Sequence, residues 1–108
     1  MPWVVEILND KVEAEMNAFP ADMRARFTRI VELIETFGLQ NVGMPHVRHL
    51  REKLWEMRLK GRDGIGRALY ISLEGERVIV LRAFIKKSQK TPIREIRLAM
   101  ARAKEIEL

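Results

Sequence analysis

Residues 54–84 read LWEMRLKGRDGIGRALYISLEGERVIVLRAF, and the punctuation of this stretch decides the fold. Leu54–Leu59 alternates, with Trp55, Met57 and Leu59 on one face and Glu56, Arg58 and Lys60 towards the other, the period of a half-buried strand. Gly61 to Gly64 reads as a turn, Ile65–Leu73 as a second strand, and Glu74-Gly75 as a tight hairpin signal. Val78–Phe84 is nearly all apolar, as a central strand covered on both faces must be. Three strands joined by two short turns predict an antiparallel meander. The run Gly61-x-x-Gly64-x-Gly66 has no helix after it, so a hairpin turn explains it better than a phosphate loop does.

Upstream the period changes to that of helices. Trp3 to Leu8 reads as a short strand, and Asn9 is a plausible N-cap for a helix over 10–18 that turns Val12, Met16 and Phe19 to one side. Pro20 breaks that helix and opens a second, which Gly38 ends. Met23, Phe27, Ile30, Val31, Ile34 and Phe37 form its apolar stripe. Two glycines and Pro45 mark 38–50 as a loop. After the meander, Thr91-Pro92 reads as an N-cap with proline at the first helical position, and Ile93, Ile96, Met100 and Ala103 as the buried side of a last helix. The predicted order is β-α-α-β-β-β-α: one α+β domain over residues 1–108, its meander packed against an N-terminal helical hairpin, with a C-terminal helix.

Composition narrows the function. The 108 residues are 47% hydrophobic and 32% charged, which is globular rather than disordered. With no cysteine, a disulfide scaffold, a thiolate metal site and a cysteine nucleophile are excluded. Glu6 breaks the apolar run of Trp3, Val4 and Val5, so no signal peptide is expected, and no stretch has the length of a membrane span. A cytoplasmic location, with no membrane partner, is the expectation.

The net charge of +5 hides an asymmetry. Residues 1–47 carry four basic and seven acidic side chains, whereas 48–104 carry sixteen basic and six acidic. A basic half of this kind suits a polyanion, nucleic acid above all. Arg58 and Lys60 end the first meander strand, Arg67 opens the second, and Lys86, Lys87 and Lys90 follow the third. If the register lets these ends meet, they form a concave site for a phosphate backbone, with Arg as a bidentate fork and Lys as a movable point charge. Bland readings stand beside this one. Arg58 beside Glu56 suits a cross-strand ion pair, Arg82 can pair with a glutamate, and Lys86-Lys87 suits solvated surface. Trp3 and Trp55 suit core or interface positions. His46 and His49 lack a third metal ligand nearby, so no metal site is expected.

The segments Leu54–Leu59, Gly66–Tyr70 and Val78–Pro92 together resemble the phage-derived Gp49-like, HigB-type branch of the RelE toxin superfamily. The most specific part is Phe84 followed by Lys86-Lys87 and then Lys90-Thr91-Pro92; Glu95-Ile96, Ala99, Arg102 and Glu105 continue the match. The resemblance implies a toxin of a type II toxin–antitoxin pair, a ribosome-dependent mRNA endonuclease that cuts in the A site without metal or small-molecule cofactor. It implies a cognate helix-turn-helix antitoxin, with the basic groove or the surface around Trp3 and the first helices as its docking place. Carried over by position, the catalytic cations fall on Arg58, Arg67 and Lys86 or Lys87, with Lys60, Arg62, Arg82 and Lys90 against RNA. Where some relatives have a histidine or tyrosine near the C-terminus this chain has neither after Tyr70, which leaves the general base open among Lys87, Lys86 and Glu56. A non-catalytic RNA- or ribosome-binding module and a structural phage protein are the alternative functions.

Overall fold

The computed structural model describes residues 3–43, 45–86 and 90–106. Strand β1 (Val4–Ile7) leads into α1 (Asp10–Asn17) and α2 (Ala21–Phe37), and a single 3-10 turn follows at Leu39–Asn41. Then come β2 (Val47–Arg51), β3 (Leu54–Gly61), β4 (Gly64–Leu73), β5 (Arg77–Lys86) and α3 (Ile93–Ala103). The five strands form one mixed sheet in the order β1-β5-β4-β3-β2, with β1 parallel to β5 and every other pair antiparallel. Strand β5 is buried on both faces, Val78, Val80 and Ala83 against the helices α1 and α2 and Ile79, Leu81 and Phe84 on the side of α3, which is why its run is apolar almost throughout.

Helices α1 and α2 cover one face of the sheet. Val12, Met16, Phe19, Met23, Ile30 and Ile34 pack there on Met57, Leu59, Ala68, Tyr70, Val78 and Val80. Helix α3 covers part of the other face, setting Ile96 and Ala99 on Leu69, Ile71, Ile79 and Leu81. Each fully buried side chain of this kind stabilises the fold by about 1.5–3 kcal/mol. The Asn9 side chain caps α1 as expected, accepting from the Val12 amide at 3.1 Å. Gly38 ends α2 at φ +89°, a conformation open to glycine.

Four details depart from the sequence reading. The stretch expected to be loop contains β2, an edge strand in which only Val47 is buried, so no alternation announces it. Exposed His49 and Arg51, with half-buried Arg48, suit an unpaired edge. Phe37 is 60% exposed, since Ile34 is the last residue of α2 to reach the core. Ile93 is likewise exposed, because the buried stripe of α3 runs through Glu95, Ile96 and Ala99. Thr91 does not cap α3; Pro92 occupies that position, and the Thr91 hydroxyl is used elsewhere.

A cluster of charges joins the layers. Past Ile7 β1 has ended, which leaves the edge of β5 open just where Leu81 bulges against β4. Glu15 of α1 accepts from the Ala83 amide at 3.1 Å, and Arg102 of α3 donates to the Leu81 carbonyl at 2.9 Å. These two side chains also pair with each other at 2.9 Å. Among the described residues no helix is long and apolar enough to cross a membrane.

Candidate active site

Antiparallel pairing brings the basic strand ends to one end of the sheet. Lys60 pairs with Ile65 and Ile65 with Lys86, so both lysines share a row across β3, β4 and β5. Two rows inward, Arg58 pairs with Arg67 and Arg67 with Phe84. Two arginines directly opposite each other would repel without a counter-charge. Glu56, next along β3 on the same face, supplies it: Arg67 Nη1 lies 3.2 Å from Glu56 Oε1 and 2.9 Å from Thr91 Oγ1. The Thr91 hydroxyl donates to the same Glu56 oxygen, and Arg48 Nε stands 3.5 Å from the other. Arg67 and Glu56 are both 0% exposed. A buried ion pair of this kind fixes geometry, and either partner alone would be a heavy penalty.

A cleft opens beside this buried pair. It encloses about 260 Å³ and is lined by Arg26, Pro45, His46, Arg58, Lys60 and Ile65. Its position follows from two anchors. The Arg62 amide donates to Asp22 Oδ2 at 2.7 Å, tying the first turn of α2 to the β3–β4 turn. The contact needs Gly61, where a Cβ would stand 2.9 Å from both Asp22 Oδ2 and Met23 Cγ. Arg26 is one turn on from Asp22, on the same side of α2, and so reaches the end of β3. The second anchor is the Arg58 amide, which donates to the His46 carbonyl at 2.8 Å and holds His46 at the edge of β3 just before β2 begins. Three cations and an imidazole therefore meet, and among the described residues none lining this cleft is acidic.

The residues expected to form the site fall into five groups. Arg58 and Lys60 line the cleft, and Lys86 lies one strand beyond Ile65. Arg67 is close but buried beneath Glu56 and Thr91, a support for the wall rather than a group in contact with solvent. Arg82, expected against RNA, is held instead by carboxylates, with Nε 2.7 Å from Glu95 Oε1 and Nη1 2.8 Å from Glu15 Oε2. The hydrogen bond that Arg82 donates to Glu95, with the charge of Glu15 nearby, raises its already high pKa against the desolvation of burial. This is the glutamate pairing that the sequence left open. Arg62 and Lys90 are exposed, Arg62 in the β3–β4 turn and Lys90 two residues before α3. Lys87 lies outside the described residues. Sequence reasoning missed His46 and Arg26. His49, its neighbour in the sequence reading, is taken up locally: Nε2 lies 2.7 Å from the Glu52 carbonyl, and its ring meets Trp55 edge-on.

Solved structures share this architecture. A chain of the archaeal RelE–RelB complex from Pyrococcus horikoshii OT3 is 18% identical, with a TM-score of 0.56 over 83% of this chain and 100% of that one. A substituted E. coli toxin RelE in the free state is 13% identical, with a TM-score of 0.56 over 99% of this chain and 100% of that one. The YoeB–YefM complex from Staphylococcus aureus contributes a chain 10% identical, with a TM-score of 0.58 over 80% and 99%. At these identities the likeness shows the RelE fold. No curated protein matches the sequence. The model of the family described as phage-derived protein Gp49-like (DUF891) matches residues 14–104, which include the second half of α1, all of α2, the cleft and α3, and the chain belongs to that family.

Proposed function

We propose that this chain is the toxin of a type II toxin–antitoxin pair and acts as a metal-independent endoribonuclease on mRNA in the ribosomal A site. The observation that carries the reading is the cleft itself, where Arg26, His46, Arg58 and Lys60 meet with no acidic lining residue among those described. A phosphodiester fits such a place, because its charge needs cations and any carboxylate would repel it.

Cleavage at the RNA 2′-hydroxyl has three demands. A base takes the 2′ proton as that oxygen attacks the adjacent phosphorus. Cations stabilise the extra negative charge on the five-coordinate phosphorus, a task for Arg58 with Lys60 and Lys86 beside it. An acid returns a proton to the departing 5′ oxygen, leaving a 2′,3′-cyclic phosphate. His46 is the cleft's residue for proton transfer, since an imidazole ring carries both a proton-donating and a proton-accepting nitrogen. Arg67 and Glu56 act as positioning residues by fixing the strand that carries Arg58.

An antitoxin of the helix-turn-helix class is the proposed partner. The structural neighbours include complexes named for RelB and YefM, and an acidic segment would complement the basic cleft. The test is primer extension on a defined mRNA with purified ribosomes. Wild-type protein is expected to give cuts at the A-site codon only when ribosomes are present, and Arg58→Ala to reduce them at least about 100-fold, the weight of one charge-stabilising donor. Uncut mRNA at stoichiometric, folded protein would overturn the enzyme. Salt-sensitive ribosome binding would then favour the RNA- or ribosome-binding module.

A further inference from the structure

The outer edge of β3 is longer than the strand that covers it. Pairing with β2 begins where Val47 meets Met57, whereas β3 continues to Gly61. The chain before Val47 turns away, because the His46 amide donates to the Gly43 carbonyl at 2.9 Å instead of extending the strand. The last stretch of β3, from Arg58 to Gly61, therefore has a neighbouring strand on the β4 side alone.

In an antiparallel ladder, alternate residues turn both N–H and C=O to the same edge. The β3–β4 register runs from Trp55 to Gly61 without a shift, so the amides of Arg58 and Lys60 point to one side. Arg58 fixes which side that is, since its amide donates to the His46 carbonyl at 2.8 Å, away from β4. Two residues past Lys60, the Arg62 amide is taken by Asp22 Oδ2 at 2.7 Å. Three alternate amides thus lie along the rim of the cleft. The first and third are bonded within the protein; the second, that of Lys60, has no partner among the described residues. Lys60 itself is exposed and lines the cleft with Arg26, His46 and Arg58.

We propose that the main-chain amide of Lys60 is the fixed anion donor of this cleft and bonds a non-bridging oxygen of the RNA phosphodiester. The assignment rests on the cleft being a phosphodiester site, as read above. A sheet edge suits the task, because an amide held by its ladder stays aimed while a lysine ammonium swings on a flexible stem. A donor already in place needs no reorganisation when charge builds on the five-coordinate phosphorus. The flanking bonds at His46 and Asp22 hold the edge that aims it.

The probe is a short 2′-O-methyl oligouridylate, which keeps the phosphodiesters but lacks the 2′-hydroxyl that cleavage needs, so binding is read apart from catalysis. In ¹⁵N-labelled protein the Lys60 amide proton is expected to move downfield saturably. The amide protons of Arg58 and Arg62, already given to His46 and Asp22, should move far less. Lys60→Ala keeps the amide and should keep the downfield shift at residue 60, at reduced affinity. Lys60→Pro deletes the N–H on the side where no ladder bond is lost. It should bind about tenfold or more weakly than Lys60→Ala, the worth of a hydrogen bond to a charged group. An oligonucleotide that shifts the His46 ring signals and leaves the Lys60 amide in place would overturn the proposal alone, and so would equal affinity of the alanine and proline variants. No saturable shift anywhere in the cleft would overturn the phosphodiester site and the donor with it. If Lys60→Pro fails to fold, the three amide shifts of the wild type decide.

Discussion

Two groups of arginines in this molecule have opposite surroundings. Arg67, Arg82 and Arg102 are each tied to a glutamate: Arg67 to Glu56, Arg82 to Glu95 and Glu15, and Arg102 to Glu15. They join α1, the sheet and α3, and they are buried or nearly so. Arg26 and Arg58 stand instead in a cleft with Lys60 and His46, where none of the lining residues described is acidic. The difference teaches how to sort a basic surface. A cation tied to a buried carboxylate holds the fold, whereas a group of cations with no acidic residue in its described lining suits an anion. Arg58 and Arg67 face each other across one rung of the sheet and still fall in different groups.

The sharpest way to break this comparison is to remove a carboxylate. Glu56→Ala leaves Arg67 buried without its counter-charge and should cost about 3–5 kcal/mol in urea unfolding. Lys60→Ala, in the cleft, should change stability by no more than about 0.5 kcal/mol. The double variant Glu56→Leu/Arg67→Met removes both charges together and should recover much of the loss, since an apolar pair of similar volume replaces an ion pair at little cost. Equal stability of Glu56→Ala and Lys60→Ala would erase the distinction between the two groups.

The next effect concerns chemistry. His46→Ala should lower ribosome-dependent mRNA cleavage by about 10²-fold or more, the usual weight of a general acid or base, with the unfolding midpoint unchanged. Cleavage at the wild-type rate would move proton transfer to another group, Lys86 first among those described. That His46 escapes a sequence reading has a definite cause. Its place beside Arg58 depends on β2, whose pairing of Arg48 with Glu56 carries the preceding loop to the end of β3. Because β2 lies at the sheet edge with one buried residue, it shows no period, and overlooking the strand meant overlooking the histidine. Arg26 escapes for a related reason. The apolar stripe of α2 says which side is buried but not where its polar side arrives; that is set by Asp22 meeting the Arg62 amide, a contact across forty residues.

The meander, by contrast, was legible throughout, because alternation in β3, two glycine turns and an apolar β5 each point to one local structure. Consecutive antiparallel strands place the end of each beside the start of the next, so the convergence of Lys60 and Lys86 follows from topology once the strands are known. Burial was the harder part. Arg67 and Arg82 look like the other cations of the basic half until their glutamates, eleven and thirteen residues away, are seen to face them.

A smaller effect separates the groups by salt. If Arg26 and Lys60 each neutralise a phosphate, each alanine variant should reduce the slope of log affinity for single-stranded RNA against log salt by about 0.7. Arg82→Ala should leave that slope unchanged while lowering stability, since Glu15 and Glu95 lose a shared partner. An Arg82→Ala slope as reduced as that of Arg26→Ala would place Arg82 among the RNA contacts after all.

The finest distinction is in acid. Burial raises the Glu15 pKa, but hydrogen bonds from Arg102 and the Ala83 amide, with the charges of Arg82 and Arg102, outweigh it and hold the carboxyl below its ordinary 4.5. A carboxyl with a lower pKa in the folded state binds fewer protons there than in the unfolded chain. Its stabilisation is therefore complete above the ordinary value and disappears as pH falls through the lowered one. Stability of the wild type should decline over that interval, and Glu15→Gln, already without the charge, should show a shallower decline from a lower plateau. Arg26→Ala should keep the full wild-type decline, because no carboxylate lines its cleft among the described residues. Parallel acid limbs for wild type and Glu15→Gln would mean that the arginines of the fold do not depend on their glutamates, and the contrast with the cleft would lose its physical basis.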